Sequence, residues 1–283
     1  MNGAFMPLDE AVIPIEDRGF QFADGVYEVV ATYNGRIFAM ELHLKRLQRS
    51  LDELYIDFDV QVEGIAAIIE EAMQRAGFVE SHIYIQITRG VAPRHHEFPN
   101  DKPTPTVVIT VKELHRPELR LRQQGVKAIT APDLRWKRCD IKSIALLPNI
   151  LAKQTAYEHG AYEALLVNDA GQVTEGSSTS SFRVSGGTIY TSPEGPHILP
   201  SITRGILIDL IGDLGIPMRE EFSSLEDYIA ADEVFLAGTT TEAMPVVDID
   251  GQTIGEGRPG PATRRIRDAF VLNYIQKYEQ NSG

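Results

Sequence analysis

Between Lys112 and Gln124 the chain turns charged and loses its apolar period, running Lys-Glu-Leu-His-Arg-Pro-Glu-Leu-Arg-Leu-Arg-Gln-Gln. A core needs apolar residues at helical or strand spacing, so such a stretch divides a chain into separately organised parts. The pattern differs on its two sides. Before it, strands alternate with long amphipathic helices; after it come many short strands with interspersed helices. The break therefore predicts a small N-terminal α/β domain over 1–117, an interdomain linker over 118–123 and a larger C-terminal α+β domain over 124–283.

In the first part, Val26 to Tyr33 and Arg36 to Met40 flank Asn34-Gly35, the dipeptide of a type I′ hairpin. Leu44, Leu47, Leu51 and Leu54 recur at helical spacing. Ile65, Ile68, Ile69, Ala72 and Met73 mark a second helix, which Gly77 is placed to cap. His82 to Thr88 alternates as a half-buried strand, and Thr106 to Val111 is a β-branched strand of the same sheet. In the second part, strands are expected at Val126 to Thr130, Glu163 to Asn168, Ser181 to Val184, Thr188 to Thr191, Glu233 to Ala237 and Pro245 to Ile249. Helices are expected from Pro148 to His159, Thr203 to Leu214 and Pro261 to Tyr278. Together these predict a barrel-like α+β domain.

Hydrophobic residues make up 43% of the chain and charged residues 24%, a balance that can bury a sizeable core. The net charge is −13, from 27 basic against 40 acidic residues, and no basic block appears, so nucleic acid is not an expected partner. An anionic substrate would have to be met by locally placed Arg or His. Cys139 is the only cysteine, which fits a reducing compartment. The start of the chain lacks a charged region followed by an apolar one, and no run reaches the ~18 apolar residues of a membrane span. These features predict a cytoplasmic location and no membrane partner. No metal site is expected.

Several residues carry candidate chemistry. Lys142, in Cys139-Asp140-Ile141-Lys142-Ser143, offers an amine that can form a Schiff base. Glu175, in Val173-Thr174-Glu175-Gly176-Ser177-Ser178, offers a carboxylate in a small-residue turn. An amine for an aldehyde and a carboxylate for a ring nitrogen are what pyridoxal 5′-phosphate requires, together with an anion cradle and exclusion of water. Pro200-Ser201-Ile202-Thr203-Arg204 opens a helix, so it is either a phosphate cradle or a plain Ser/Thr cap. Ala237-Gly238-Thr239-Thr240-Thr241 ends a strand as a nest-like anion site or a simple turn. Arg46 lies off the leucine stripe, as a solvated cation or a further cradle group. Arg89-Gly90-Val91-Ala92-Pro93-Arg94-His95-His96 suits capture of a carboxylate, or is a basic surface turn. Tyr27 is either a core aromatic or a hydroxyl reaching into a pocket.

Taken together, these stretches resemble the class IV (fold type IV) pyridoxal phosphate aminotransferases over almost the whole chain. The resemblance rests on Asp17-Arg18-Gly19-Phe20, Asp24-Gly25-Val26-Tyr27-Glu28, Ile141-Lys142-Ser143, Leu151-Ala152-Lys153-Gln154, Thr174-Glu175-Gly176-Ser177-Ser178 and Ile198-Leu199 with Ile202-Thr203-Arg204. It implies that the large domain is a cofactor-binding pseudobarrel. It makes Lys142 the Schiff-base lysine and proton shuttle, and Glu175 the partner of the pyridine nitrogen. Arg46, Ile202, Thr203, Thr239 and Thr240 would hold the phosphate, with Leu199 against the ring. Within the family, Tyr27, Arg94 and His96 match the α-carboxylate trap of D-amino acid aminotransferases, which implies a homodimer with shared active sites. The activity implied is transfer of an amino group between a D-amino acid and a 2-oxo acid. L-branched-chain aminotransferases, 4-amino-4-deoxychorismate lyases, (R)-amine transaminases and a non-catalytic relative that binds a phosphorylated ligand are the alternatives. Leu147-Pro148-Asn149 is closer to the wider family, Gly238 stands where the D-specific pattern has serine, and His95 adjoins His96.

Overall fold

The computed structural model describes residues 1–275. It divides the chain into two compact units, Met1–His115 with Ile141–Ala145, and Arg116–Asp140 with the chain from Leu146 onward. The lysine segment thus packs with the first unit although it lies beyond the charged stretch in sequence.

In the first unit a short helix α1 (Arg18–Phe22) leads into β1 (Gly25–Tyr33), β2 (Arg36–Ile37), α2 (Met40–Glu53), α3 (Ile65–Ala76), β3 (Ser81–Thr88) and β4 (Thr106–Glu113). The sheet order is β2-β1-β3-β4, with antiparallel neighbours throughout. Asn34 and Gly35 both have positive φ, 49° and 74°, as a type I′ turn demands. Beyond Ile37 the expected strand gives way. Ala39 is left-handed at φ 51°, and α2 begins at Met40. The leucine stripe of α2 is buried with Ile65 and Ile69 of α3 and with Ile83, Ile85 and Ile87 of β3. Each such side chain contributes about 1.5–3 kcal/mol by leaving water. Gly77 caps α3 at φ 72°.

The second unit contains α4 (Leu119–Gln124), β5 (Val126–Pro132), α5 (Leu147–Glu158), β6 (Glu163–Val167), β7 (Gln172–Gly176), β8 (Ser180–Ser185), β9 (Thr188–Thr191) and α6 (Ile202–Asp213). These are followed by β10 (Met218–Glu220), β11 (Ser223–Ser224), α7 (Leu225–Ile229), β12 (Glu233–Gly238), β13 (Glu242–Ile249), β14 (Gln252–Thr253) and α8 (Pro261–Phe270). One ten-stranded sheet runs β10-β9-β8-β12-β13-β5-β6-β7-β11, with β14 beside β13. β7 lies near one end of that order and β8 near the other, yet Ser177–Thr179 alone join them. The Gly176 N–H donates to Thr179 O at 2.7 Å. A flat sheet could not be bridged by three residues, so this one curls into the expected pseudobarrel. Phe182 and Phe235 stack at its core, 4.7 Å between centroids. α8 ends at Phe270 and passes into a π-helical turn over Val271–Ile275, where the sequence pattern predicts a helix to Tyr278; that helix's last residues lie outside the described ones. Among the described residues no helix is long and apolar enough to cross a membrane.

Candidate active site

Lys142 sits on a segment laid along β1. The Tyr27 N–H donates to Lys142 O at 2.9 Å, and the Ile144 N–H donates to Gly25 O at 3.1 Å. Its own N–H donates to Ser50 Oγ at 3.2 Å. The close approach depends on Gly25, where a Cβ would lie 2.8 Å from Ile87 O and 3.2 Å from Ile144 Cδ1. With its backbone fixed on both sides, Lys142 places Nζ 4.4 Å from the centroid of the Tyr27 ring. Tyr27 is therefore not a core aromatic: it is half-buried, and its ring meets that of Tyr84 at 5.8 Å between centroids, tilted by 31°. The Tyr84 hydroxyl donates to Gln86 Oε1 at 2.6 Å, and burial pushes its pKa up to about 12.

Arg46 is not a solvated cation. Its side chain is 8% exposed and grips Glu28 of β1 through Nε at 2.6 Å and Nη2 at 2.8 Å. His43, one turn earlier on α2, has Nδ1 2.8 Å from Glu28 Oε2. Burial works against the charge on Glu28, but Arg46 and His43 outweigh it and bring its pKa to about 2. Burial lowers the pKa of His43. The neutral ring then donates from Nδ1 to the carboxylate. Neither Glu28 nor His43 stood out in the sequence, although a glutamate between Val26 and Val30 on a strand's buried face was a usable signal.

The loop after β3 is built on paired charges. Arg89 forks onto Asp24 at 2.8 and 2.9 Å and donates to Leu54 O and Tyr55 O. Arg18 reaches the same Asp24 at 2.8 Å and donates to His95 O at 2.7 Å. Burial opposes the charge on Asp24, yet the two arginines hold it below the ordinary carboxylate range. Beyond these anchors Arg94 and His96 converge on Phe22. The guanidinium lies 4.4 Å from the ring centroid, and the imidazole stands edge-on at 5.7 Å. Both are exposed.

In the second unit Glu175 is the last residue but one of β7 and is buried. Arg135 Nη1 makes a short contact to its Oε1, and the Leu199 N–H lies 3.2 and 3.3 Å from the two oxygens. Leu199 and Glu175, which the family pattern assigns to one ring, are thus neighbours. Arg135 is shared: it also forks onto Asp133 at 2.9 and 2.8 Å and donates to His197 O at 3.1 Å. Burial pushes the pKa of Glu175 up, and Arg135 only partly offsets the shift. Glu163, fully buried, holds the turn that follows by accepting from the Ser177, Ser178 and Thr179 hydroxyls. Arg135 gave no signal in the sequence, because Asp133-Leu134-Arg135 falls in irregular backbone.

Two donor clusters complete this unit. Ser201 caps α6 by accepting from the Arg204 N–H at 3.3 Å, while the amides of Ile202 and Thr203 have no acceptor within the helix. Their end of the helix dipole is positive. Thr239 and Thr240 follow β12, half-buried. At Gly238 a Cβ would meet nothing closer than 3.6 Å, so the serine of the D-specific pattern would fit there. The chemistry of these groups fits pyridoxal phosphate. In the second unit a buried carboxylate beside the Leu199 amide suits a ring N–H, and amides and hydroxyls suit a phosphate; in the first unit the Lys142 amine suits an aldehyde.

Residues 25–249 match the family Amino-transferase class IV. The chain therefore belongs to the class IV aminotransferases, enzymes that depend on pyridoxal 5′-phosphate. A D-alanine aminotransferase of Bacillus licheniformis is 42% identical to it over 276 residues, which is 98% of this chain and 96% of that one. Another, from Staphylococcus haemolyticus, is 40% identical over 271 residues and 95% of each chain. Among solved structures, a branched-chain amino acid aminotransferase of Escherichia coli matches with TM-score 0.90 at 26% identity, covering 100% of this chain and 96% of that one. The branched-chain aminotransferase of Thermoproteus uzoniensis, solved with norvaline, gives 0.85 at 28% identity, covering 99% and 96%. These neighbours share the fold type IV, α+β architecture.

Proposed function

We propose that this aminotransferase moves the amino group of a D-amino acid, of the D-alanine or D-glutamate type, to a 2-oxo acid such as 2-oxoglutarate or pyruvate. The observation that carries the reading is the Arg94–His96 pair on an anchored loop, together with Tyr27 under the Lys142 amine. The near-full-length D-alanine aminotransferase relatives support it. The likeness to L-branched-chain enzymes supports the fold and the cofactor equally for either hand of substrate.

Bound pyridoxal phosphate supplies the electron sink that makes an amino acid's Cα proton removable. The residues here do the rest. Lys142 would hold the cofactor through its amine, and its Nζ would be the group that takes and returns the substrate's Cα proton. Glu175 keeps a positive charge on the ring nitrogen. The amides of Ile202 and Thr203 and the hydroxyls of Thr203, Thr239 and Thr240 would hold the phosphate, with Arg46 in the same role and Leu199 for the ring. Tyr27, Arg94 and His96 orient the substrate carboxylate, with the last two offered to a partner's site in a homodimer. Their exposure in a single chain supports that assignment.

The deciding experiment is a panel of half-reactions with D- and L-amino acids, followed by the change in the bound cofactor's absorbance. D-alanine and D-glutamate should convert the cofactor. Conversion by L-leucine alone would overturn the reading. For the shared site, inactive Arg94→Ala and inactive Lys142→Ala subunits should regain part of the activity when mixed, since one site of each heterodimer recovers both groups. Verified heterodimers without activity would remove the shared site.

A further inference from the structure

The turn Thr239–Thr241 is closed by Glu242, which pairs in register with Gly238. Glu242 has left-handed backbone, φ 57°, and a side chain only 1% exposed. A non-glycine residue keeps that conformation only where its surroundings over-determine it. Here they do. Arg116 Nη1 lies 3.1 Å from Oε1, and Arg122 Nη1 lies 2.8 Å from Oε2. Both arginines belong to the segment Arg116–Gly125, which is tied to β13 at a second point. Gly125, at φ 83°, runs so close that a Cβ would lie 2.4 Å from Val247 Cγ1. The other side of the turn is fixed as well, since Tyr162 Oη and Thr241 Oγ1 share a hydrogen bond of 3.2 Å.

Charge sharpens the picture. Two guanidinium groups meet one carboxylate, and Arg122 Nε and Nη2 are buried without a hydrogen-bond acceptor. Buried ion pairs of this kind are poor stabilisers against apolar replacements and are kept in some proteins for the geometry they specify.

We propose that the Arg116–Glu242–Arg122 clamp is a positioning device that holds the Gly238–Thr241 turn in the shape that receives the cofactor's phosphate. Glu242 thereby sets how tightly the phosphorylated cofactor is retained. The inference rests on the reading of Thr239 and Thr240 as phosphate-holding residues.

The test titrates cofactor-free, full-length protein with pyridoxal phosphate and, separately, with pyridoxal, which lacks the phosphate. Glu242→Gln keeps the shape of the side chain and removes its charge. It should weaken pyridoxal phosphate binding about 10-fold or more while leaving pyridoxal within about twofold of wild type. A residue that merely stabilised the fold would weaken both alike. Arg116→Gln, at a side chain 21% exposed, gives the same comparison should Glu242→Gln fail to fold. Equal losses for the two ligands, or no loss for either, overturn the clamp. The double variant Thr239→Ala, Thr240→Ala separates the two ideas. If it retains full affinity for pyridoxal phosphate, the turn is not the phosphate site. If it loses affinity while Glu242→Gln does not, only the clamp fails.

Discussion

Glu28 and Glu175 are both buried carboxylates that meet an arginine, and their proton affinities move in opposite directions. Glu28 is brought to a pKa of about 2, whereas Glu175 is pushed above the ordinary range. Charge balance explains the contrast. Around Glu28 one carboxylate faces one guanidinium, and His43 adds a donor to the same oxygen that Arg46 Nη2 reaches. Around Glu175 two carboxylates divide one guanidinium, because Arg135 is already forked onto Asp133. The first cluster is internally balanced and suits a scaffold that fixes Arg46. The second is short of one positive charge, which a protonated pyridine nitrogen would supply.

The difference can be broken by rate. Glu175→Gln removes the charge that would keep the ring nitrogen protonated, so turnover should fall about 10²-fold or more, a few kcal/mol of transition-state stabilisation. Glu28→Gln acts through Arg46 and His43 and should cost turnover less than about 10-fold, with its main effect on cofactor affinity and stability. Saturating kinetics with D-alanine on both variants checks this. Equal losses in turnover would end the distinction between a catalytic and a scaffolding carboxylate, and near-normal turnover in Glu175→Gln would remove Glu175 from the role proposed for it.

Legibility followed the range of the interaction that decides each feature. Asn34-Gly35, the leucines of α2 and Gly77 act through their own few residues, and the hairpin, helix and cap stand where local chemistry puts them. α4 went unseen because Leu119–Gln124 takes its helical form next to β13, with Arg122 paired to Glu242, rather than from any apolar stripe of its own. The start of β13 at Glu242, three residues before Pro245, was hidden for the same reason: its left-handed backbone depends on two arginines more than a hundred residues earlier. Lys142 could be picked out by its neighbours in sequence. That its segment would join β1 as an added edge could not, since that pairing is non-local. Partners were the least visible. Arg135 and His43 are ordinary residues until the fold brings a buried carboxylate to each.

The smallest effect expected is also the most discriminating, because its sign differs between the two carboxylates. The folded pKa of Glu28 is depressed from 4.5 to about 2, so its stabilising contribution is complete above pH 4.5 and is lost as pH falls toward 2. The folded pKa of Glu175 is raised above 4.5 in the absence of a ring partner, so the stability it contributes is complete below pH 4.5 and is lost as pH rises through the folded value. Substitution by Gln removes each titration. In urea unfolding of cofactor-free protein, the cost of Glu28→Gln should therefore grow between about pH 2.5 and pH 4.5, while the cost of Glu175→Gln should shrink as pH rises. Neither slope can exceed roughly 1.4 kcal/mol per pH unit, the limit for one proton. If the cofactor's ring nitrogen is the cation that Glu175 lacks, the second trend should flatten in cofactor-loaded protein while the first stays as it was. Slopes of the same sign in the two variants would mean that Glu175 is as fully paired as Glu28 without the cofactor, and the charge-deficit account of its role would fall.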